Sequence, residues 1–335
     1  MLAVCVGLAF GLLAAELALR ASGVFATYSE SNYGEWRDVY GRKQAGWLRA
    51  WAPGQHVLQT AEFRYDYQIN GDGVRDVEHA LEAAPGVQRV VVLGDSYAEG
   101  VGAERDEAWP AVLAERLARA GASVEVLDAG VSGSDPWFEV ELLRQRFLRY
   151  RPDLVILALN DSDIYDTVWW GGRERFREDG TARGRPAPRS FALYRRSHLA
   201  RWLLHGLGGL ERSMMSYGEP GRVSWQAQLE VVEACAAAAA LCAEHSARLL
   251  VLVHPVPEGI LAREVNYFDA FFAELERRGI DAVDLTPSMC AALAGLEFAD
   301  YAWRVDLHYN ARGYAAFAQA VEPLVLERLG GSGPR

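Results

Sequence analysis

Buried strands and amphipathic helices alternate along the chain from about residue 88 onward. Residues 89–93 (Arg-Val-Val-Val-Leu) form a continuous β-branched run, which is typical of a strand buried on both faces. Further strands are predicted at 123–127, 154–159, 248–253 and 282–285, and helices at 107–120, 136–150, 225–245, 267–278 and 311–329. Repeated βα units with apolar strands predict an α/β fold, with a parallel sheet of about five strands between two layers of helices.

The first residues follow a different pattern. Residues 2–19 are apolar except for Glu16, and the run ends at Arg20. This length lies at the lower limit for crossing a bilayer. A transmembrane anchor over residues 1–21, a cleaved signal segment and a buried amphipathic helix all fit, and we favour the anchor. Its orientation is open, because no basic residue precedes the run and several follow it.

Two further segments do not follow the alternation. Residues 22–87 are polar and aromatic, and they predict a linker with a small strand-and-turn element at 63–71. Residues 162–221 are too long for a plain loop. Because this insertion leaves the carboxyl end of a strand, it is placed to act as a lid or substrate wall, or else as a solvent-exposed decoration. The main domain is predicted to span residues 88–330.

Composition excludes some classes of function. The formal net charge is -11 and no cluster of Lys or Arg stands out, so nucleic acid is not an expected partner. The four cysteines show no metal-ligand spacing. We therefore predict neither a metal site nor a cofactor.

The residues that follow the strands carry the candidate chemistry, because ligands of parallel α/β sheets bind at the carboxyl ends of the strands. Ser96 follows the first strand, in a tight turn that exposes its hydroxyl and its backbone N–H at a helix N-terminus. Gly133 follows the second strand and permits close approach of a backbone N–H to a ligand. Asn160 follows the third and can donate a hydrogen bond from its carboxamide. A helix cap, an ordinary turn and an Asx turn are the structural alternatives.

Asp306 and His308 lie just before the last predicted helix. In an extended segment, residues two apart face the same way. Asp306 would then accept a hydrogen bond from one nitrogen of His308, leaving the other nitrogen outward as a general base.

Three other side chains are candidates for contact with a substrate. His254 follows the fourth strand, and its alternative is a structural role. Trp169 and Trp170 can stack on a sugar or hold an acyl chain, or can pack the insertion onto the domain.

Together these blocks resemble the signature of the SGNH, or GDSL-like, esterase and lipase family. The blocks are, in chain order, Gly94-Asp95-Ser96, Gly133, Asn160, and Asp306 with His308. The resemblance implies a flavodoxin-like fold with Ser96 as nucleophile, served by His308 and Asp306. It also implies an oxyanion hole formed by Ser96, Gly133 and Asn160.

Two positions depart from the family pattern. Ala158 stands where the third block usually has Gly, and the aspartate precedes His308 by two residues rather than three, with Val305 in the usual place. The closer spacing is similar to that of the alginate O-acetyltransferase branch, which acts in the bacterial periplasm.

The sequence therefore predicts a serine esterase that cleaves an ester of a small molecule, glycan or lipid, such as an O-acetyl group in the cell envelope. The resemblance and the N-terminal segment together predict a membrane-anchored protein with its catalytic domain in the periplasm or outside. A periplasmic O-acyltransferase using the same triad is one alternative. A non-catalytic carbohydrate-binding or scaffold protein on the same fold is another.

Overall fold

The computed structural model describes residues 2–22, 53–170, 172–177, 197–206 and 225–330. The chain divides into two compact units. The larger comprises residues 50–175 and 223–335, and the smaller comprises residues 1–49 and 176–222.

Along the described part of the larger unit, the strands are β1 (Gly54–Gln59), β2 (Arg64–Ile69), β3 (Gln88–Gly94), β4 (Val124–Gly130), β5 (Leu154–Leu159), β6 (Arg248–Val253) and β7 (Ala282–Asp284). Strands β3 to β7 form one parallel sheet in the order β4-β3-β5-β6-β7. Every residue of β5 is buried, and β3 is buried from its second residue onward. The prediction of a five-stranded parallel sheet is confirmed.

The helices of both units, in chain order, are α1 (Leu2–Ser22), α2 (Ser96–Glu99), α3 (Trp109–Arg119), α4 (Pro136–Leu142), α5 (Asp161–Trp170), α6 (His198–Gly206), α7 (Trp225–Glu244), α8 (Pro257–Ala262), α9 (Asp269–Arg277), α10 (Thr286–Ala292), α11 (Phe298–Tyr301) and α12 (Ala311–Gly330). Helices α3, α10 and α12 pack together, and α7 packs against α4, α5 and α9. Trp109 of α3 stacks on Phe317 of α12, with ring centroids 4.5 Å apart, in the core over one face of the sheet. The two helical groups flank the sheet and complete the expected three layers.

The strand order places a crevice at the carboxyl edge of the sheet. The chain passes from β3 to β4 on one side and then returns to β5 on the other side of β3. Ligands of such sheets bind where the strand order reverses. Residues that follow β3 and β5 therefore meet at the most favourable place for a site.

Strands β1 and β2 form an antiparallel hairpin ahead of the sheet. The predicted strand at 63–69 is confirmed as β2, in which alternate residues Tyr65, Tyr67 and Ile69 are buried. Strand β1 was not predicted, because its half-buried positions are Gly54, His56 and Leu58 while the apolar Val57 is exposed, which leaves no apolar alternation to detect.

In the smaller unit, the carboxylate of Glu16 on α1 caps the start of α6. It accepts hydrogen bonds from the backbone N–H groups of His198 (3.0 Å) and Leu199 (2.8 Å), and Arg20 pairs with it at 2.7 Å. Among the described residues, no helix is both long and apolar enough to span a bilayer. The predicted transmembrane anchor is therefore not supported, and the envelope location stays a prediction.

The predicted insertion at 162–221 begins with regular structure, because α5 runs from Asp161 to Trp170 and a short 3-10 turn follows at Gly172–Arg175. A second helix of the same stretch is α6, at His198–Gly206. Residues 178–196 and 207–224 lie outside the described residues. The lid and the domain boundaries accordingly stay predictions.

Candidate active site

The turn from β3 into α2 presents Ser96 at the carboxyl edge of the sheet. Asp95 caps α2 by accepting a hydrogen bond at Oδ1 from the Tyr97 N–H (2.9 Å). A Cβ at Gly94 would lie 2.8 Å from the Cβ of Ala98 and 3.0 Å from the Ala158 carbonyl oxygen. Only glycine permits this close approach of β3, α2 and β5, and the tight turn leaves Ser96 half-buried.

Ser96, His308 and Asp306 form one chain of hydrogen bonds. The Ser96 hydroxyl oxygen lies 2.8 Å from Nε2 of His308, and Nδ1 of His308 lies 2.6 Å from Oδ1 of Asp306. An aspartate at Nδ1 fixes the proton there, so Nε2 is free to accept the serine proton. The side chains of His308 and Asp306 are 22% and 21% exposed, so the group is open to a ligand.

The segment that carries Asp306 and His308 is a turn, and the prediction of an extended segment is wrong. Residues 304–306 are in turn conformation, and Leu307 has a φ of 69°. The turn is closed by the Leu307 N–H donating to the Trp303 carbonyl (3.1 Å) and the Trp303 N–H donating to the His308 carbonyl (2.9 Å). A leucine in the left-handed region is strained, and such strain is found at functional sites.

Tyr97 separates His308 from His254. Its ring centroid lies 4.9 Å from that of His308 and 5.3 Å from that of His254. His254 is fully buried against Phe317, and burial lowers the pKa of His254 to about 4. The predicted substrate contact at His254 is therefore wrong, and a neutral structural histidine is what the packing fits.

The loop after β4 is tied to the helix that carries Ser96. Glu99 of α2 accepts hydrogen bonds from both the backbone N–H and the hydroxyl of Ser132, each at 2.6 Å. The Val131 N–H donates to the Gly94 carbonyl at 2.9 Å. Gly133 follows with a φ of 68°, so the loop turns sharply next to the β3–α2 turn.

Asn160 is fully buried where β5 ends. Its Nδ2 donates to Oδ2 of Asp95 (3.0 Å), and its Oδ1 accepts from the Ser162 N–H (2.9 Å), which forms the Asx turn that was the structural alternative. The Ser162 hydroxyl also donates to Oδ2 of Asp95 (3.0 Å). Asn160 thus joins the cap of α2 to the start of α5, and its role as an oxyanion donor stays a prediction.

Sequence reasoning missed Glu99 and Ser162. Glu99 lies three residues after Ser96, one helical turn along α2, and is buried. A carboxylate within a turn that is expected to be buried could have been noticed in the sequence, because a buried charge needs hydrogen-bond partners. Ser162 gives no comparable signal, since a serine in the first turn of a helix is ordinary.

The two tryptophans and the question of a metal site remain to be placed. Trp169 and Trp170 end α5, and their side chains lie outside the described residues, so their role stays a prediction. In the part of the chain that the structure describes, no group of three or more His, Cys, Asp or Glu side chains could hold a metal ion.

The chain is similar to a curated relative and to several solved structures. An arylesterase of Vibrio mimicus is 30% identical over 81 residues, which are 24% of this chain and 40% of the relative. The chain therefore spans less than half the length of this relative. Among solved structures, a two-domain esterase active on acetylated mannans is similar with 13% identity and a TM-score of 0.45, over 74% of this chain and 51% of that one. A catalytic mutant of Axe2, an acetylxylan esterase from Geobacillus stearothermophilus, is similar with 14% identity and a TM-score of 0.42, over 74% of this chain and 96% of that one.

The family model of the GDSL-like lipases and acylhydrolases matches residues 92–316. This region holds more than half of the chain and includes every residue of the predicted triad. The predicted resemblance to this family is confirmed, and ester hydrolysis by a serine nucleophile is taken up below as a proposal. The chain belongs to the GDSL-like lipase/acylhydrolase family.

Proposed function

We propose that this chain is a serine esterase that cleaves its substrate through an acyl-enzyme intermediate. The observation that carries the proposal is the hydrogen-bonded chain from Asp306 through His308 to Ser96, with distances of 2.6 Å and 2.8 Å. A hydroxyl within hydrogen-bond reach of a base, with the base oriented by a third group, is the arrangement that activates a serine nucleophile.

Acylation uses the three side chains in order. Nε2 of His308 takes the Ser96 proton as Oγ attacks the ester carbonyl carbon, and Asp306 stabilises the imidazolium that forms. His308 then protonates the departing alcohol as the bond between the carbonyl carbon and the alcohol oxygen breaks. The acyl group remains on Ser96 as an ester.

The negative charge on the carbonyl oxygen needs hydrogen-bond donors. We assign this role to the backbone N–H groups of Ser96 and Gly133 and to the Asn160 carboxamide, which lie after three neighbouring strands. Each donor of this kind contributes about 3–4 kcal/mol to the stabilisation of the transition state. In deacylation, His308 activates a water molecule that attacks the acyl carbon and releases Ser96.

An O-acetyl ester on a cell-envelope glycan or lipid is our proposed substrate. The support is the spacing of Asp306 and His308, which resembles that of a periplasmic branch of the superfamily. Val305 and Leu307, in the same turn as His308, also present apolar surface, with exposures of 74% and 39%. An apolar rim of this kind suits the acyl group or an apolar leaving group better than a charged one.

An acyltransferase is the second candidate, because a sugar hydroxyl can take the place of water without any change in the triad. The Asp-x-His spacing favours it. A non-catalytic binding protein has less support, since the triad is assembled with hydrogen-bond distances that binding alone does not require.

The test measures hydrolysis of p-nitrophenyl acetate by the wild type, by Ser96→Ala and by Ser288→Ala, which changes an exposed serine of α10 and is the matched control. We expect loss of activity in Ser96→Ala alone. Acetyl transfer to an added oligosaccharide that outruns hydrolysis would favour the transferase. A folded wild type that neither hydrolyses nor transfers would overturn both enzymatic functions.

A further inference from the structure

We infer that Glu62, at the tip of the β1–β2 hairpin, is a positioning residue that holds the His308 turn (residues 303–309) in its working geometry. The inference rests on the proposed function. It concerns a residue outside the region 92–316 that the family model matches.

The carboxylate of Glu62 accepts three consecutive backbone N–H groups of the His308 turn. Oε1 accepts from Arg304 at 2.9 Å, and Oε2 accepts from Val305 and Asp306, each at 2.8 Å. Consecutive N–H groups at the start of a helical turn have no partner within the turn, and an ionised acceptor gives them strong hydrogen bonds. Glu62 therefore caps the turn from a distant part of the chain.

The hairpin presents Glu62 in a fixed position. The Thr60 N–H donates to the Phe63 carbonyl (2.9 Å), and the Thr60 hydroxyl oxygen lies 3.2 Å from the backbone nitrogens of both Glu62 and Phe63. The ring of Phe63 packs on Trp303, with centroids 5.2 Å apart. Two adjacent residues of the hairpin tip thus hold the His308 turn. Glu62 binds backbone N–H groups of the turn, and Phe63 packs on the side chain of Trp303, its first residue.

The opposite side of the turn is fixed as well. Nε1 of Trp303 donates to the Gly102 carbonyl at 2.7 Å, in the segment that follows α2. The His308 turn is therefore held between the β1–β2 hairpin and the segment that follows α2, the helix that begins with Ser96. Since Leu307 is in a strained conformation, the turn needs such external contacts to keep it.

Asp306 links Glu62 to the chemistry. Its backbone N–H is bound by Glu62, and its own carboxylate accepts from His308 at 2.6 Å. Burial works to raise the pKa of Glu62, but the hydrogen bonds from the three N–H groups outweigh it and lower that pKa, so Glu62 is ionised at neutral pH. Without this carboxylate, the Asp306 backbone is free to shift, and the distance between His308 and Ser96 shifts with it.

The test compares Glu62→Ala and Glu62→Gln with Asp66→Ala, a control on the same hairpin whose carboxylate is 71% exposed. Three quantities are measured: kcat and KM for p-nitrophenyl acetate, the melting temperature, and the low-field proton resonance of the hydrogen bond between His308 and Asp306. We expect Glu62→Ala to lower kcat by about tenfold to a hundredfold, the range that a misplacement of about 1 Å produces, with KM little changed. The resonance should shift or broaden.

We expect Glu62→Gln to lose less kcat than Glu62→Ala, because its amide oxygen still accepts hydrogen bonds. Asp66→Ala should have the kcat of the wild type. A Glu62→Ala protein with wild-type kcat and an unchanged resonance would overturn the inference, even if its melting temperature fell. Should Glu62→Ala not fold, a Glu62→Gln protein must show a partial loss of kcat and an altered resonance, and wild-type values for both would overturn the inference.

Failure of the proposed function can be distinguished from failure of the inference about Glu62. If the wild type hydrolyses no ester, the proposed function fails, whereas the resonance still reports whether Glu62 positions Asp306 and His308.

Discussion

The two halves of the candidate active site are held in different ways. Ser96 follows directly from a buried strand, and the hydrogen bond from the Tyr97 N–H to Asp95 fixes its turn within a few residues of chain. The His308 turn lies at the surface, contains a strained Leu307 and depends on Glu62, which is 242 to 244 residues distant from the groups it binds. The nucleophile is therefore placed by local sequence, and the base is placed by tertiary contacts.

This difference has consequences for stability and for activity. Substitutions on the nucleophile side disturb a buried core and should affect both quantities. Substitutions in the His308 turn change exposed or backbone contacts, so they should affect activity with a smaller effect on folding. Each of the following changes tests one side of this comparison.

The largest effect is expected from the triad residues of the His308 turn. We expect His308→Ala and Asp306→Asn to lower kcat on the order of 10⁴-fold or more, because the base is lost in the first case and held in the wrong tautomer in the second. The melting temperature should stay close to that of the wild type, since both side chains are partly exposed. The control is His245→Ala, at an exposed histidine after α7. An Asp306→Asn protein with wild-type kcat would remove Asp306 from the triad.

On the nucleophile side, Glu99→Ala should lower both activity and stability. It removes the carboxylate that accepts hydrogen bonds from the Ser132 N–H and hydroxyl, so the contact between α2 and the loop after β4, which carries Gly133, is weakened. We expect kcat to fall by about 10²-fold, as when one oxyanion donor is displaced. The free energy of unfolding in urea should fall by about 1–3 kcal/mol, because two partly buried donors lose a charged acceptor. Glu115→Ala, at a 60% exposed position of α3, is the matched control. Unchanged kcat would show that the loop is held without Glu99.

A smaller effect is expected at Leu307. Leu307→Gly removes the strain of the left-handed conformation, which costs about 1–2 kcal/mol for a side chain of this kind. Glycine also makes the unfolded backbone more flexible, which costs about 0.5–1 kcal/mol. The free energy of unfolding should therefore stay level or rise by up to about 1.5 kcal/mol. We expect kcat to fall a few-fold, because the His308 turn becomes less rigid. Leu307→Asn should keep kcat, since asparagine tolerates this conformation. A loss of stability in Leu307→Gly would contradict the assignment of strain.

Substitution of His79 should change the free energy of unfolding and leave kcat unchanged. Its ring nitrogens contact Asp76 (2.8 Å) and Glu125 (2.7 Å), and although burial works to lower the pKa of His79, these two carboxylates outweigh it and raise that pKa. A raised pKa in the folded state means that the stabilising contribution is full below the unfolded pKa near 6.5 and is lost as pH rises through the folded pKa. His79→Gln should therefore destabilise the fold more at about pH 5.5 than at about pH 9. Urea unfolding at both pH values measures this, and an equal cost at both would contradict it.

The sequence predicted most of what local pattern determines. The apolar strands of the sheet were predicted with each end within three residues of its observed position. Ser96 was placed correctly because a strand and a helix flank it. The contact between Asp306 and His308 was also predicted, but from an extended geometry, because nothing in the local pattern indicates that Leu307 takes a positive φ.

What the sequence did not predict depends on contacts between distant segments. Glu62 lies in a segment with weak periodicity, and its partners are backbone groups that no pattern identifies. His254 was expected at the active edge, but its position after a strand does not report that Tyr97 covers it. Both cases require the packing of the whole domain to be known.

The most direct test of Ser96 as an activated nucleophile is labelling with a fluorophosphonate, followed by mass spectrometry of the labelled peptide. We expect a single adduct on Ser96 in the wild type and in Ser288→Ala, and none in Ser96→Ala. A folded wild-type protein that stays unlabelled at Ser96, or that carries its adduct on another residue, would contradict the account.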